Sequence, residues 1–238
     1  MIVVKNLYFG IPVYQKWFVE TINFLDCFKI LVYKQTKIDS SIGFIKKRMY
    51  TLISDLTISD AEIFVKFNAT VKNEINRSIR ENVMYNSNEN IETFLSMYNE
   101  FAVYRGLNQI SKKKLINLLG NKQLAITSCS IDGVVVAVHS YLLDLQLRKV
   151  RLLHSGTIRL NEGVNRAQVA RANKYLHYKD MMKFKNDQFI LYDWGGVTVN
   201  SELESLKGIN KFKESFGGLL IQENEYQSFL YFSLSKFI

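Results

Sequence analysis

QLAITSCSIDGVVVAVHSYLLDLQLRKVRLLHSGTIR, residues 123–159, decides the fold class. It holds three β-rich segments, 123–130, 134–143 and 149–159, joined by Ile131-Asp132-Gly133 and by residues 144–148. An Asp-Gly step between two such segments is a hairpin signal, so the stretch reads as an antiparallel meander. Toward the C-terminus, residues 163–185 read as a helix with Val164, Ala167, Ala170, Leu176, Met181 and Met182 at apolar or small positions. A buried strand over 189–192 then ends in Asp193-Trp194-Gly195-Gly196. A helical stretch over 202–216 follows, and Gly217-Gly218 opens two last strands, 219–222 and 229–234.

Toward the N-terminus, Ser111 caps a helix carrying Leu115, Leu118 and Leu119, and Gly106 closes another built on Ile91, Phe94, Leu95, Tyr98, Phe101 and Ala102. A short strand covers 83–85. Before it, Ile63, Phe64, Phe67, Val71, Ile75 and Ile79 recur at helical spacing, predicting one long amphipathic helix over 60–82. Residues 1–58 mix β-rich and aromatic-rich stretches whose order the pattern leaves open. The reading is an α/β (α+β) chain: a small lobe over 1–81, and a second domain over 82–238 with a mixed sheet and helices on both faces.

Thirty-one Lys and Arg against 22 Asp and Glu leave +9 on 238 residues, of which 47% are hydrophobic. At this length a chain buries roughly 70–75% of its unfolded surface, which excludes disorder. The longest apolar run, 134–145, is interrupted by His139, Ser140 and Asp144, short of the ~18–20 residues that span a bilayer. The opening MIVVKNLYFG lacks the charge and apolar pattern of a signal peptide, so a cytoplasmic location is expected. Cys27 and Cys129 are too few for a disulfide framework, and His139, His154 and His177 show no metal-ligand spacing. No metal is expected. The basic surplus fits anionic partners such as coenzyme phosphates or RNA, and a solvated lysine-rich surface explains it as well.

The element order β, α, α, β, β, β, α, β, α, β, β matches the GNAT acetyltransferase fold. Two stretches sharpen the match. Residues 67–106 carry Arg77, Ile79-Arg80, Val83, Phe94, Met97-Tyr98 and Arg105-Gly106, and this pattern resembles a region of FemAB-like transferases. YDWGGV (192–197) followed by GINKFKESFGG (208–218) is similar to that family's D-x-G-G strand end and F-K-x-x-F-G-G element. Fem proteins usually carry two such domains, whereas one complete copy is visible here, with residues 1–81 as a degenerate second half.

The resemblance implies acyl transfer to an amine. Shorter relatives use coenzyme A, including N-acyltransferases acting on nucleotide-linked (dTDP- or UDP-) amino sugars for surface polysaccharide such as O-antigen lipopolysaccharide. Full-length Fem enzymes instead take an aminoacyl group from tRNA and add it to a cell-wall precursor. The expectation is acyl-CoA as donor and a nucleotide-linked amino sugar as acceptor, with tRNA as the alternative partner, no DNA, and a homodimer left open.

Such a transfer needs the donor held, the amine deprotonated and the oxyanion stabilised. For the donor phosphates the resemblance points to Arg159, Asn161, Gly163, Val164, Asn165 and Arg166 at the start of a helix. The spacing departs from the usual Arg/Gln-x-x-Gly-x-Gly/Ala pattern, and a plain loop with a capping glycine fits as well. His154, on the third meander strand, is a candidate base or a packed histidine. Asp193, where a strand should open to a cleft, is a second candidate or a turn carboxylate. Trp194 is a candidate substrate contact, and Tyr192 reads as core first and as a candidate substrate contact second. The family match singles out Phe212-Lys213, its lysine placed near phosphate and reacting carbonyl, and Lys211 extends the basic patch. Cys129, mid-strand with no recognisable base, is not expected to be a nucleophile.

Overall fold

The computed structural model describes residues 1–8, 10–199 and 202–235. In chain order the elements are β1 (Ile2–Tyr8), β2 (Ile11–Trp17), β3 (Leu31–Thr36), β4 (Phe44–Asp55), α1 (Asp60–Lys66), α2 (Ala69–Arg80), β5 (Met84–Asn86), α3 (Ile91–Arg105) and α4 (Lys112–Gly120). They continue with β6 (Leu124–Ile131), β7 (Val134–Asp144), β8 (Lys149–Thr157), α5 (Arg166–Asn186), β9 (Leu191–Val197), α6 (Glu204–Glu214), β10 (Leu219–Ser228) and α7 (Phe229–Leu234). No helix among the described residues is long and apolar enough to cross a membrane.

The chain groups into two compact units, one of Met1–Leu52, Gly196–Asn210 and Leu220–Ile238, the other of Ile53–Gly195 and Lys211–Leu219. A division at residue 81 differs from this grouping, because α1 and α2 belong to the second unit. In the first unit the strands follow the order β1-β2-β3-β10-β4, around a core of Val19, Leu31, Tyr33 and Tyr226.

In the second unit the order is β4-β9-β8-β7-β6-β5. The meander expected over 123–159 is present: β6 pairs antiparallel with β7, and β7 with β8. α5 then crosses over and β9 returns parallel to β8, the usual outcome of a strand-helix-strand crossover. One sheet face meets α5, where Cys129 Sγ lies 3.4 Å from Ala172 O and His139 and Tyr141 reach Asp180. The other meets α3, whose Tyr98 and Phe94 rings pack on His154. α2 is tied to α5 by Lys174–Glu74 and by a forked Arg171–Glu81 pair, its closest approach 2.7 Å.

The single helix expected over 60–82 is two helices. Asn68 interrupts it: its Oδ1 accepts the Val71 N–H at 2.9 Å and caps α2, while Ser59 and Glu62 form a capping box on α1. Periodicity carries across the break because Phe64 and Phe67 still meet each other and Tyr178, and Phe67 also meets Phe216. The segment 229–234, expected as a strand, is the helix α7, started by Ser228 Oγ accepting the Tyr231 N–H at 3.1 Å. A short apolar run cannot be told apart by period alone. Gly217 is required where it stands, since at φ +67° a Cβ would lie 2.8 Å from the Lys66 carbonyl oxygen.

Candidate active site

The regular parallel register between β8 and β9 covers Lys149–Arg151 against Leu191–Asp193, and β8 continues to Thr157. The strands share a ladder only at their start, and the charged residues gather where it ends. Asp193 is fully buried. Its Oδ2 lies 2.9 Å from Lys149 Nζ, and its Oδ1 accepts the Gly195 N–H at 2.8 Å. Arg151 stands directly opposite Asp193 in the register, and its guanidinium also passes close to the position a Cβ on Gly195 would take, 3.7 Å away. Gly195 itself sits at φ +76° with that Cβ position 3.2 Å from Leu152 O, which explains the glycine after Asp193-Trp194.

Lys213, in the last turn of α6, is half-buried and completes the group. Burial and the neighbouring Arg151 charge pull its ammonium down to about 8, while Asp193 opposes that pull. Lys149, Arg151 and Lys213 thus surround one carboxylate. Asp193 and Lys213, expected separately from the sequence, are brought together. Asp193 is not at the strand end: it lies within β9, beside its lysine partner.

His154 pairs with Ser140 across a bulge in β8, where Tyr141 already faces Leu152. Its Nδ1 lies 2.7 Å from Ser140 Oγ, and its ring meets Tyr98 edge-on at 5.0 Å. Burial, then the charges of Lys114 and Arg151, push its basicity down to about 3. The imidazole is therefore neutral at physiological pH, able to share hydrogen bonds but a weak proton acceptor.

The loop assigned to donor phosphates lies beyond the C-terminal end of β8. Ile158–Leu160 form a short turn of helix, Asn161 Nδ2 donates to Glu100 at 3.0 Å, and Gly163 takes φ +73°. Asn165 caps α5 by accepting the Gln168 N–H at 3.2 Å, and Arg159 and Arg166 are exposed, with Val164 half-buried. The turn into a helix start is present as expected, though its cap oxygen is already in use.

Two expected substrate contacts are core. Tyr192 is fully buried, with its hydroxyl 2.8 Å from Tyr141 Oη and 3.0 Å from His177 Nδ1. Trp194 is buried and donates its indole N–H to Ser54 Oγ at 2.9 Å. Both face α5 because β9 is a central strand covered on that side. Phe212 packs on His177 and Phe216, and Lys211 is exposed. Sequence reasoning passed over Lys149 and Arg151, whose signal is charge alternating with Val150 and Leu152 in a strand flanked on both sides. It also passed over the buried set of His139, Tyr141, His177 and Asp180.

No family model and no curated protein matches the chain. Solved structures do. FemX superposes with a TM-score of 0.68 at 10% identity, over 96% of this chain and 83% of its own. The C-terminal domain of a putative lysylphosphatidylglycerol synthetase from Agrobacterium fabrum gives 0.59 at 11% identity, over 86% of this chain and 71% of that one. L-PGS from Bacillus licheniformis gives 0.56 at 12% identity, over 83% and 67%. The mixed α/β fold is the one these three structures share. At these identities the likeness is one of fold, and it agrees with the FemAB-like resemblance seen in residues 67–106 and 192–218.

Proposed function

We propose that the chain is a transferase that moves an activated acyl or aminoacyl group onto an amine by direct attack. The observation that carries this reading is the cluster of Lys149, Arg151 and Lys213 near Asp193, where β8 and β9 stop sharing a ladder. Cations gathered in a partly buried site suit an anion, either a donor phosphate or the oxyanion that forms as the amine attacks the carbonyl carbon. Arg151 and Lys213 are the groups proposed for that role. The amine's proton leaves to solvent, and the donor departs as an alcohol or a thiol.

For the donor, the Fem-type reading, an aminoacyl-tRNA, is supported by the likeness in fold to FemX and to the C-terminal domain of a putative lysylphosphatidylglycerol synthetase. The acyl-CoA reading has its own support in the 158–166 turn into α5, where backbone N–H groups at a helix start suit a pyrophosphate. A nucleotide-linked amino sugar acceptor, a role in surface polysaccharide, a homodimer and a cytoplasmic site of action rest on the sequence reading alone. Binding separates the donors. Aminoacyl-tRNA bound at low salt and weakened about a thousandfold or more between 50 and 200 mM salt, with no calorimetric response to coenzyme A, supports the Fem-type donor. Saturable coenzyme A binding that survives physiological salt supports the other, and binding of neither removes the transferase reading.

A further inference from the structure

The first unit holds an apolar cluster that its core does not use. Phe24, Leu25 and Phe28 stand on a short turn of helix over Phe24–Phe28, Ile42 on the loop between β3 and β4, and Phe229 and Leu230 on the first turn of α7; the six are 50–84% exposed. Three contacts gather them. Phe24 and Phe28 meet edge-on at 6.1 Å. Gly43, next to Ile42, comes so close to the turn that a Cβ on it would lie 3.3 Å from the Phe24 ring and 3.1 Å from Cys27 Cβ. α7 packs on the same turn, and Ser228, its cap, accepts the Leu31 N–H at 3.3 Å. Large apolar side chains exposed side by side, rather than singly, mark a surface that is covered in use.

The polar groups among them are spent internally. Asn23 Oδ1 accepts the Leu25 N–H at 3.0 Å, and the buried Asp26 carboxylate takes Lys16, Lys29 and Tyr33. Ser228 Oγ also accepts the Tyr231 N–H at 3.1 Å at the start of α7, and Ser235 Oγ donates to Phe232 O at 2.9 Å at its end. These groups can leave water without being stranded. A protein interface carries roughly one hydrogen bond per 100–200 Å², and the groups inside this patch are already used; lipid chains ask for none.

Charge says what covers it. Lys29 follows Phe28, and Lys37 and Lys46 bracket the loop that carries Ile42; all three are exposed. Residues 1–52 hold eight Lys and Arg against three Asp and Glu, of which Asp26 is buried. A second copy related by a two-fold would set these lysines against themselves. An anionic lipid surface takes both parts at once, its phosphates level with the ammonium groups and its acyl boundary with the phenyl and branched tips. We propose that this patch docks the protein on an anionic membrane surface, lying in the interface without crossing it. The inference stands apart from the transferase reading.

The test is flotation of the intact protein with phosphatidylcholine vesicles and with vesicles of equal parts phosphatidylcholine and phosphatidylglycerol. The expected result is binding to the mixed vesicles that weakens but persists at physiological salt, with much less on phosphatidylcholine alone. Phe28→Ser and Phe229→Ser each lower the partition coefficient about tenfold, and Lys37→Gln lowers it about fivefold. Val134→Ser, which removes an exposed apolar side chain from the second unit, changes nothing. Phe28→Trp keeps the affinity, and because Trp17 and Trp194 are buried, the emission it adds is quenched by lipids brominated on the acyl chain. Should Phe28→Ser fail to fold, Phe229→Ser and Phe28→Trp decide. No binding to the mixed vesicles, binding that the serine variants leave unchanged, or binding lost outright at physiological salt overturns the proposal. A dimer that Phe28→Ser dissolves, in protein that ignores vesicles, gives the face to a second copy, and capture of an acidic peptide in place of vesicles gives it to a protein; either overturns it as well. No donor or acceptor enters the measurement, so failure here and failure of the transferase reading are separate results.

Discussion

Two buried polar groups flank β9 on opposite faces, and they are built on different terms. On the α5 face, Asp180, Tyr141, Tyr192 and His177 form a file in which each proton can be assigned to one acceptor. On the other face, Lys149 pairs with Asp193, Arg151 stands opposite it in the register, and Lys213 feels the charges of both Arg151 and Asp193. A satisfied network rigidifies a core. A surplus of charge costs stability until an anion arrives. The first arrangement is that of a packed core, the second is the one proposed above to meet an anion, and the charge of Lys213 is felt by His177 of the first.

The comparison breaks first at Asp193. Removing that carboxylate in Asp193→Ala strands Lys149, which is 7% exposed at its side chain, beside two further cations. We expect a loss of about 3–5 kcal/mol in urea-induced unfolding. A loss below about 1 kcal/mol would mean that the lysine escapes to water and that the cluster is not a buried charge site.

Lys213→Met should move the two properties in opposite directions. If Lys213 holds the oxyanion or donor phosphate, transfer falls by about a hundred- to a thousandfold. Stability moves the other way. The folded-state midpoint near 8 lies below the ordinary 10.5, so the charged lysine is disfavoured by folding. The penalty is fully present below pH 8 and vanishes as pH rises through 10.5. The methionine variant should therefore be more stable at pH 7 by about 1–3 kcal/mol, with the gain fading in alkali. Equal stability at both pH values would place the ammonium in water.

Tyr141→Phe tests the opposite face. It takes a donor from Asp180 and an acceptor from Tyr192 without changing shape, at an expected cost of about 1–3 kcal/mol. A stabilised variant would show that the file is retained for something other than the fold.

The meander, the crossover and β9 were legible because their apolar runs and the Asp132-Gly133 turn are local signals. The F-K pair pointed to Lys213, and the glycines that follow pointed to Asp193, as proposed site residues. What stayed hidden depends on tertiary cover. Lys149 and Arg151 alternate with apolar residues as surface cations do, and their burial follows only from β9 lying alongside. Tyr192 reads as core from its apolar run, whereas Trp194, at the end of that run, reads as a contact until its packing on His177 of α5 is seen. The helix break at Asn68 hides inside an intact apolar period, and the register shift between Ser140 and Tyr141 has no mark in composition.

His154 gives the smallest expected effect and the sharpest contrast with Lys213. It lies on the α3 side, hydrogen-bonded to Ser140 and walled by Phe94 and Tyr98. With its basicity pushed down to about 3 from the ordinary 6.5, it carries no proton where transfer would be assayed. A base this weak holds poorly any proton it takes from an ammonium. His154→Gln should leave turnover within about threefold of wild type and the pH–rate profile unchanged in shape. An acidic limb near pH 6–7 that disappears in His154→Gln would restore the histidine as the base. Stability carries the same sign. The unfolded histidine takes a proton as pH falls through 6.5 while the folded one waits until about 3, so its contribution is full above 6.5 and is lost between those values. His154→Gln should therefore be less sensitive to acid than wild type across that window. Unfolding curves at pH 7 and pH 4.5 separate this packed histidine from one that titrates in an open cleft, for which the two curves would shift equally in both proteins.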